Sequence, residues 1–220
     1  SGIRWVRFLT SHPKDLSDEV IRIVAGSASL CRAVHLPVQH GSDAVLARMR
    51  RRYTRDGYLG LVRRIREAMP EASLSTDILV GFPGETEEDH RLTLELMEQV
   101  GFDDAFTYHY NVREGTAAAS FGDTVPDDVK RRRLAEVIDL QRRIGLERRR
   151  RLLGSEVEVL VEELSRNDPG ELLGRTAGDA MAVFGGPPDL VGSFVTVRLR
   201  ELRGNTLWES CKGPRGSTAR

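Results

Sequence analysis

The sequence predicts an α/β unit built on parallel strands, followed by a small all-β module. Three observations carry this. Up to about residue 153, extended apolar runs alternate four times with runs of helical spacing, the signature of a parallel sheet covered by helices. After Gly154 the pattern turns to short alternating runs, split by Asn167-Asp168-Pro169-Gly170, Gly185-Gly186-Pro187-Pro188 and Gly204-Asn205, as in a small barrel. Between them, Leu74-Ser75-Thr76-Asp77-Ile78-Leu79-Val80 reads as an apolar strand that carries a carboxylate and enters the turn Gly81-Phe82-Pro83-Gly84-Glu85.

Each element has its local reason. Residues 3–9 alternate apolar positions with Arg4 and Arg7 and predict a strand, ended by Pro13. Asp15 or Ser17 caps a helix to about Ala25. Residues 32–38 predict a second strand, with Pro37 turning its end into a loop or bulge. Asp43 to Met49 is a short helix. Thr54 caps the next, which carries Tyr58, Leu61, Val62, Ile65 and Met69 on one face and stops at Pro70. Thr86 caps a helix that ends at Gly101. Residues 104–110 are the fourth strand. Pro126 opens a long, arginine-rich helix to about Leu153, with Asp127 and Asp128 at its positive end and Val129, Leu134, Val137, Ile138, Ile144 and Leu146 as its apolar positions. The runs 157–161, 176–183, 193–199 and 205–209 then suggest a module of about five strands.

Bulk composition narrows the function. Hydrophobic residues make up 40% and charged residues 30% of 220, so a packed core is expected and disorder is not. Lys and Arg balance Asp and Glu at 33 each, which removes any global electrostatic argument for nucleic acid but leaves local patches. Cys31 and Cys211 lie far apart, with neither metal-ligand nor disulfide-framework spacing. No apolar run approaches the ~18 residues of a membrane span. The chain opens on Ser1 and enters extended sequence at once, so a longer natural protein is expected.

Four strands are too few to close an eight-stranded barrel and fit the later part of one. In such folds ligands sit at the carboxyl ends of the strands. That puts Ser11, His12, Gln39, Gly41, Ser42, the 81–85 turn and Arg113 around one rim. Asp77 lies slightly deeper, and a carboxylate there needs a partner or a ligand.

Five stretches, in order, resemble the radical-SAM methylthiotransferases, specifically the tRNA-modifying MiaB type. They are Phe8-Leu9-Thr10-Ser11-His12-Pro13, His35-Leu36-Pro37-Val38-Gln39-His40-Gly41-Ser42-Asp43, residues 49–54 with Tyr58, residues 77–86, and Arg113-Glu114-Gly115-Thr116. Gly174-Arg175-Thr176 and Val191-Gly192-Ser193 resemble that family's TRAM domain. The implied organisation is a partial radical-SAM barrel over 1–152, a TRAM barrel over 153–212 and a tail over 213–220.

The resemblance implies methylthiolation of C2 of N6-isopentenyladenosine at tRNA position 37. It implies S-adenosyl-L-methionine (SAM) and two [4Fe-4S] clusters, one held by three cysteines of an N-terminal domain and one by CxxxCxxC after the first barrel strand. Cys31 and Cys211 match neither set, so no metal ligand and no catalytic residue is assigned here, and the chain is expected to be inactive alone. Expected partners are tRNA, SAM, the N-terminal half of the same protein and an electron donor, in the cytoplasm and without a membrane.

The same resemblance gives Gln39 and Asp77 to the SAM ribose hydroxyls, for which a carboxylate and an amide suit a diol. It gives Arg51 to the SAM carboxylate, a match for a guanidinium fork; alternatively Arg51 joins Arg48, Arg50 and Arg52 in a solvated face. Gly81 and Pro83 form one pocket wall, although Glu85 beside them equally suits a helix N-terminus. Arg113 and Thr116 face SAM or the substrate nucleotide, with Ala117 where the family pattern has proline. Arg175 and Arg198, with Arg200 and Arg203, are candidate phosphate contacts. Two other functions fit in part: methylthiolation of an aspartate of ribosomal protein S12, and a non-catalytic RNA-binding fragment.

Overall fold

The computed structural model describes residues 2–9, 12–122, 124–166, 168 and 170–209. Ser11, Cys211 and the tail 213–220 lie outside them. The chain divides into two compact units, 1–145 and 146–220; the division falls inside the last helix of the first unit.

The first unit runs α1 (Asp18–Gly26), β1 (Ala33–His35), α2 (Asp43–Arg48), α3 (Arg55–Ala68), β2 (Ser73–Val80), α4 (Glu87–Val100), β3 (Asp104–His109) and α5 (Asp127–Arg150). Its sheet has the order β1-β2-β3, all parallel. Ser17 caps α1 through the Val20 N–H, and Thr54 caps α3 through that of Gly57.

The strand expected over residues 3–9 is a single bridge, Val6 to Leu30. Ile3 and Leu9 are 62% and 86% exposed. With no buried apolar face the run has nothing to hold a longer register. The sheet among the described residues therefore has three strands, not four. β1 is also short, because Pro37 cannot donate to the ladder.

β2 alternates strictly. Leu74, Thr76, Ile78 and Val80 are buried, while Ser73, Ser75, Asp77 and Leu79 are half-buried. The buried set packs with Tyr58, Leu61, Val62 and Ile65 of α3, Leu96, Met97 and Val100 of α4, and Val137 and Leu140 of α5. Tyr58 spends its hydroxyl on the Leu36 carbonyl at 2.8 Å, so its phenol costs the core little. Asp77 belongs to the other, half-open face. On α5 the buried face differs from the expected one: Lys130, Arg133 and Gln141 join Val137 and Leu140, whereas Leu134 and Ile144 are only half-buried.

The second unit contains β4 (Glu156–Leu164), β5 (Glu171–Thr176), β6 (Met181–Gly185), β7 (Phe194–Arg198), β8 (Glu201–Arg203) and β9 (Thr206–Trp208), ordered β7-β4-β5-β6-β9-β8. This is six strands rather than about five. The run 176–183 is not one strand but the end of β5, a turn and the start of β6; Asp179 takes a φ of 66° there, and Thr176 Oγ1 accepts the Ala180 N–H at 3.1 Å. Val159, Val161, Leu172, Phe184, Val197 and Leu207 fill the core. Gly174 is required by contact, since a Cβ would stand 2.4 Å from Val159 Cγ1 and 2.5 Å from the Leu160 carbonyl oxygen.

Candidate functional site

The rim is organised by Gln39. Its N–H donates to the Asp77 carbonyl at 2.9 Å, and its own carbonyl accepts the Leu79 N–H at 2.8 Å. The residue is thereby latched across Ile78 on β2. Its φ is 68°, a left-handed conformation that glutamine seldom adopts. The result is that Gln39 Nε2 reaches Asp77 Oδ2 at 3.4 Å. A non-glycine residue held there against its preference marks a place where side-chain direction matters.

Asp77 sits between two more groups of the same sheet face. His35 Nε2 is 3.6 Å from Asp77 Oδ1, and His35 Nδ1 is 3.0 Å from Ser75 Oγ. Phe106, the register partner of Asp77, meets the His35 ring edge-on at 5.8 Å. Phe106 and Tyr108 are 53% and 54% exposed. The half-open face thus holds an amide, a carboxylate and an imidazole next to two unburied aromatic rings. Phe106 and Tyr108 were missed by sequence reasoning, although their position two residues apart in a strand puts them on one face.

Arg51 follows α2 and is half-buried. Among the described residues it makes no ion pair. It lies near the Tyr53 phenol, whose pKa burial pushes up to about 12 against the opposing effect of the Arg51 charge. Tyr53 donates to the Val38 carbonyl at 2.9 Å.

Gly81 and Pro83 are both buried, and their turn is closed from inside. Gly81 has a φ of 73°, and a Cβ would stand 2.5 Å from Lys130 Cγ. Its lack of a side chain is therefore explained by the packing of Lys130. The Gly81 and Phe82 N–H groups both donate to Glu85 Oε2. Around this carboxylate lie His40, His90 and Arg133, none of which sequence reasoning singled out; Glu, His and Arg spread over three elements show no spacing that would betray them.

Other candidates are more exposed. Arg113 is exposed, and its carbonyl accepts the Thr116 hydroxyl at 2.8 Å, which turns Thr116 back into its own loop. His12 caps the short turn after it, accepting the Lys14 N–H at 3.2 Å, and Ser42 caps α2 while donating to Asp89 Oδ1 at 2.5 Å. In the second unit Arg175 pairs with Glu162 at 3.2 Å and Asp179 at 3.4 Å. Arg198 is exposed opposite Glu156, and Arg203 lies over the Trp208 ring at 4.5 Å.

Gln39 and Asp77 set an amide beside a carboxylate, groups that suit a diol. Among the described residues no three His, Cys, Asp or Glu side chains come together as a metal site. Among the same residues no helix is long and apolar enough to cross a membrane.

Similarity to known proteins covers both parts of the chain. The Radical SAM superfamily pattern matches residues 1–97, and the TRAM domain pattern matches residues 150–208. The tRNA-2-methylthio-N(6)-dimethylallyladenosine synthase of Treponema denticola is 50% identical over 206 residues, 93% of this chain and 46% of that protein. Proteins of the same name from Desulfitobacterium hafniense and Carboxydothermus hydrogenoformans are 46% and 50% identical, over 97% and 91% of this chain and 48% and 46% of theirs. The chain spans about half the length of the curated relatives it matches. Coproporphyrinogen III oxidase of Escherichia coli, a radical SAM enzyme, shares the fold at a TM-score of 0.54 and 13% identity, over 79% of this chain and 46% of that one. A segment matching the Radical SAM superfamily is thus followed by one matching the TRAM domain, and nearly the whole chain is similar to the synthases named above.

Proposed function

We propose that this chain binds SAM and tRNA as part of a methylthiotransferase acting on N6-dimethylallyladenosine, in the cytoplasm. Gln39 carries the reading. Its left-handed backbone and double latch on β2 are accounted for by the need to aim an amide beside the Asp77 carboxylate. Asp77 accepts from ribose hydroxyls and Gln39 donates to or accepts from them. Arg51 takes the SAM carboxylate. Gly81 and Pro83 back the pocket, and Arg113 and Thr116 border the nucleotide. Phe106 and Tyr108 offer flat apolar faces to a base.

When bound with a cluster, SAM supplies the radical that activates the C2–H bond. This chain's own residues hold and orient it. The two cysteines of the chain make up neither ligand set that the family uses, so the clusters need ligands other than these. The similarity to synthases of the tRNA base favours this reading over the S12 enzyme. Arg175 and Arg198 are the proposed phosphate contacts of the TRAM domain.

The test is SAM titration of the longer, cluster-loaded protein. Asp77→Ala removes a charged acceptor and is expected to weaken SAM by about 10- to 100-fold, matching the ~1.5–3 kcal/mol of a charge-assisted hydrogen bond. Unchanged affinity would refute the clamp.

A further inference from the structure

Glu85 is held unusually deep for a carboxylate: its side chain is 0% exposed. Oε2 accepts from two backbone donors, the N–H groups of Gly81 and, at 3.0 Å, Phe82. His40 Nε2 stands 3.6 Å from the same oxygen. Arg133 Nη1, from α5, lies 3.1 Å from Oε1, close enough for an ion pair but off the line of a hydrogen bond. His90 Nδ1 is 3.8 Å from Oε1, while its other ring nitrogen is 2.8 Å from Glu136. Arg133 also donates to the Glu85 carbonyl at 3.2 Å and to Glu87 at 2.8 Å.

A carboxylate so far from water persists only where its charge is answered. Service to the α4 N-terminus does not explain it. That terminus already has a complete capping box, with the Thr86 side chain on the Asp89 N–H and the Asp89 side chain on the Thr86 N–H. What Glu85 does instead is join two loops. On one side it fixes Gly81 and Phe82, directly after β2. On the other it faces His40, whose Nδ1 accepts the Ser42 N–H at 3.0 Å and which directly follows Gln39.

We propose that Glu85 is a positioning residue for SAM binding, with Arg133 as its charge partner, setting the spacing between the Gln39–His40 loop and the Gly81–Glu85 turn. This rests on the reading of Gln39 and Asp77 as the ribose clamp. The role needs a charge and not merely a shape. Glutamine at this position fills the same space, but its amide N–H₂ must face either the two backbone donors or the Arg133 guanidinium, donor against donor. Removing the Arg133 donors should then relieve the conflict.

The experiment measures SAM affinity calorimetrically in the longer, cluster-loaded protein. It compares wild type with Asp77→Ala, Glu85→Gln, Arg133→Met, Glu85→Gln combined with Arg133→Met, and Val62→Ala. Val62 is a buried core residue of α3 that makes none of the rim contacts described above, and controls for lost stability. Glu85→Gln is expected to raise the SAM Kd about tenfold, and the double variant to return it to within about threefold of wild type, as coupled neighbours do. Val62→Ala is expected to lower the melting temperature and leave the Kd unchanged. If Asp77→Ala weakens SAM but Glu85→Gln does not, the positioning role is wrong. If Asp77→Ala has no effect either, the clamp itself is wrong. A Val62→Ala Kd that rises as much as that of Glu85→Gln would reduce Glu85 to a stability residue. Should Glu85→Gln not fold, Arg133→Met alone decides: a Kd several-fold higher is expected, and an unchanged one overturns the proposal.

Discussion

Arg51 shows how one side chain separates a binding role from a structural one. Among the described residues it makes no ion pair, unlike Arg48, which stands 4.0 Å from Asp89 Oδ2 and also donates to the Gly84 carbonyl at 3.1 Å. A half-buried guanidinium without a carboxylate adds little to folding, so substituting it should cost little stability, within about 0.5 kcal/mol as at ordinary surface positions. A ligand carboxylate would feel the change strongly, because lysine offers a point charge where arginine offers a planar fork. Arg51→Lys in the longer protein is therefore expected to weaken SAM by about tenfold with a nearly unchanged melting temperature. Paired calorimetry and thermal unfolding check it; a large loss of stability with intact SAM affinity would assign Arg51 to the fold instead.

Helix α4 carries the element-scale consequence. Its start is written in sequence as Thr86 followed three positions later by Asp89, and the structure builds the reciprocal box. Burial raises the pKa of Asp89, but hydrogen bonds from Ser42 and Thr86 outweigh it and hold the group below its usual 3.8. A carboxyl whose folded pKa lies below its unfolded value contributes stability above the unfolded pKa and loses it as pH falls through the folded one. Glu87 and Glu136 move the same way: hydrogen bonds from Arg133 and Arg132 lower the first, and those from Arg132 and His90 overcome burial at the second. Urea unfolding is thus expected to show stability level near pH 6 and falling below about pH 4. Asp89→Asn should flatten part of that fall, and Thr86→Ala should cost about 1 kcal/mol at pH 6. An acid limb identical in Asp89→Asn and wild type would remove Asp89 from the account.

Elements with local causes were legible in the sequence for the same reason as this cap. Ser17, Thr54, Thr86 and Gly101 act within one turn, so α1, α3 and α4 fell within a residue or two of their observed ends. The strand over 3–9 failed because alternation alone does not say whether a face is buried. The site divides likewise. Asp77 was named because a carboxylate stands out in an apolar strand, and Gln39 through the family resemblance. His40, His90 and Arg133 were not, since their meeting at Glu85 depends on how a loop, α4 and α5 converge.

For the molecule as a whole, the proposed RNA role turns on charge. The totals cancel at 33 against 33, and much of the cancellation is local. On α5, Arg132 pairs with Glu136 and Arg142 with Asp139, and Arg151 just past its end pairs with Glu147. In the second unit Arg175 is shared between Glu162 and Asp179, and Arg203 is held by Glu201 at 2.8 Å. Phosphate must displace these carboxylates, so each arginine gives less than a free cation would. The expectation is weak binding of tRNA by this chain alone, with a Kd no tighter than the ~10⁻⁶ M end of non-specific affinity at physiological salt. Affinity should fall steeply with salt as released counterions accumulate. Arg198 is exposed and, among the described residues, has no ion pair, so Arg198→Ala should weaken tRNA and unrelated RNA alike and shallow the salt slope by about one unit. Arg175→Ala should do less, because its carboxylates already claim it. Fluorescence anisotropy of labelled tRNA across a salt series measures all of this. Nanomolar, salt-insensitive binding would mean that the contacts are to bases rather than phosphates, and would move the RNA-reading role away from these arginines.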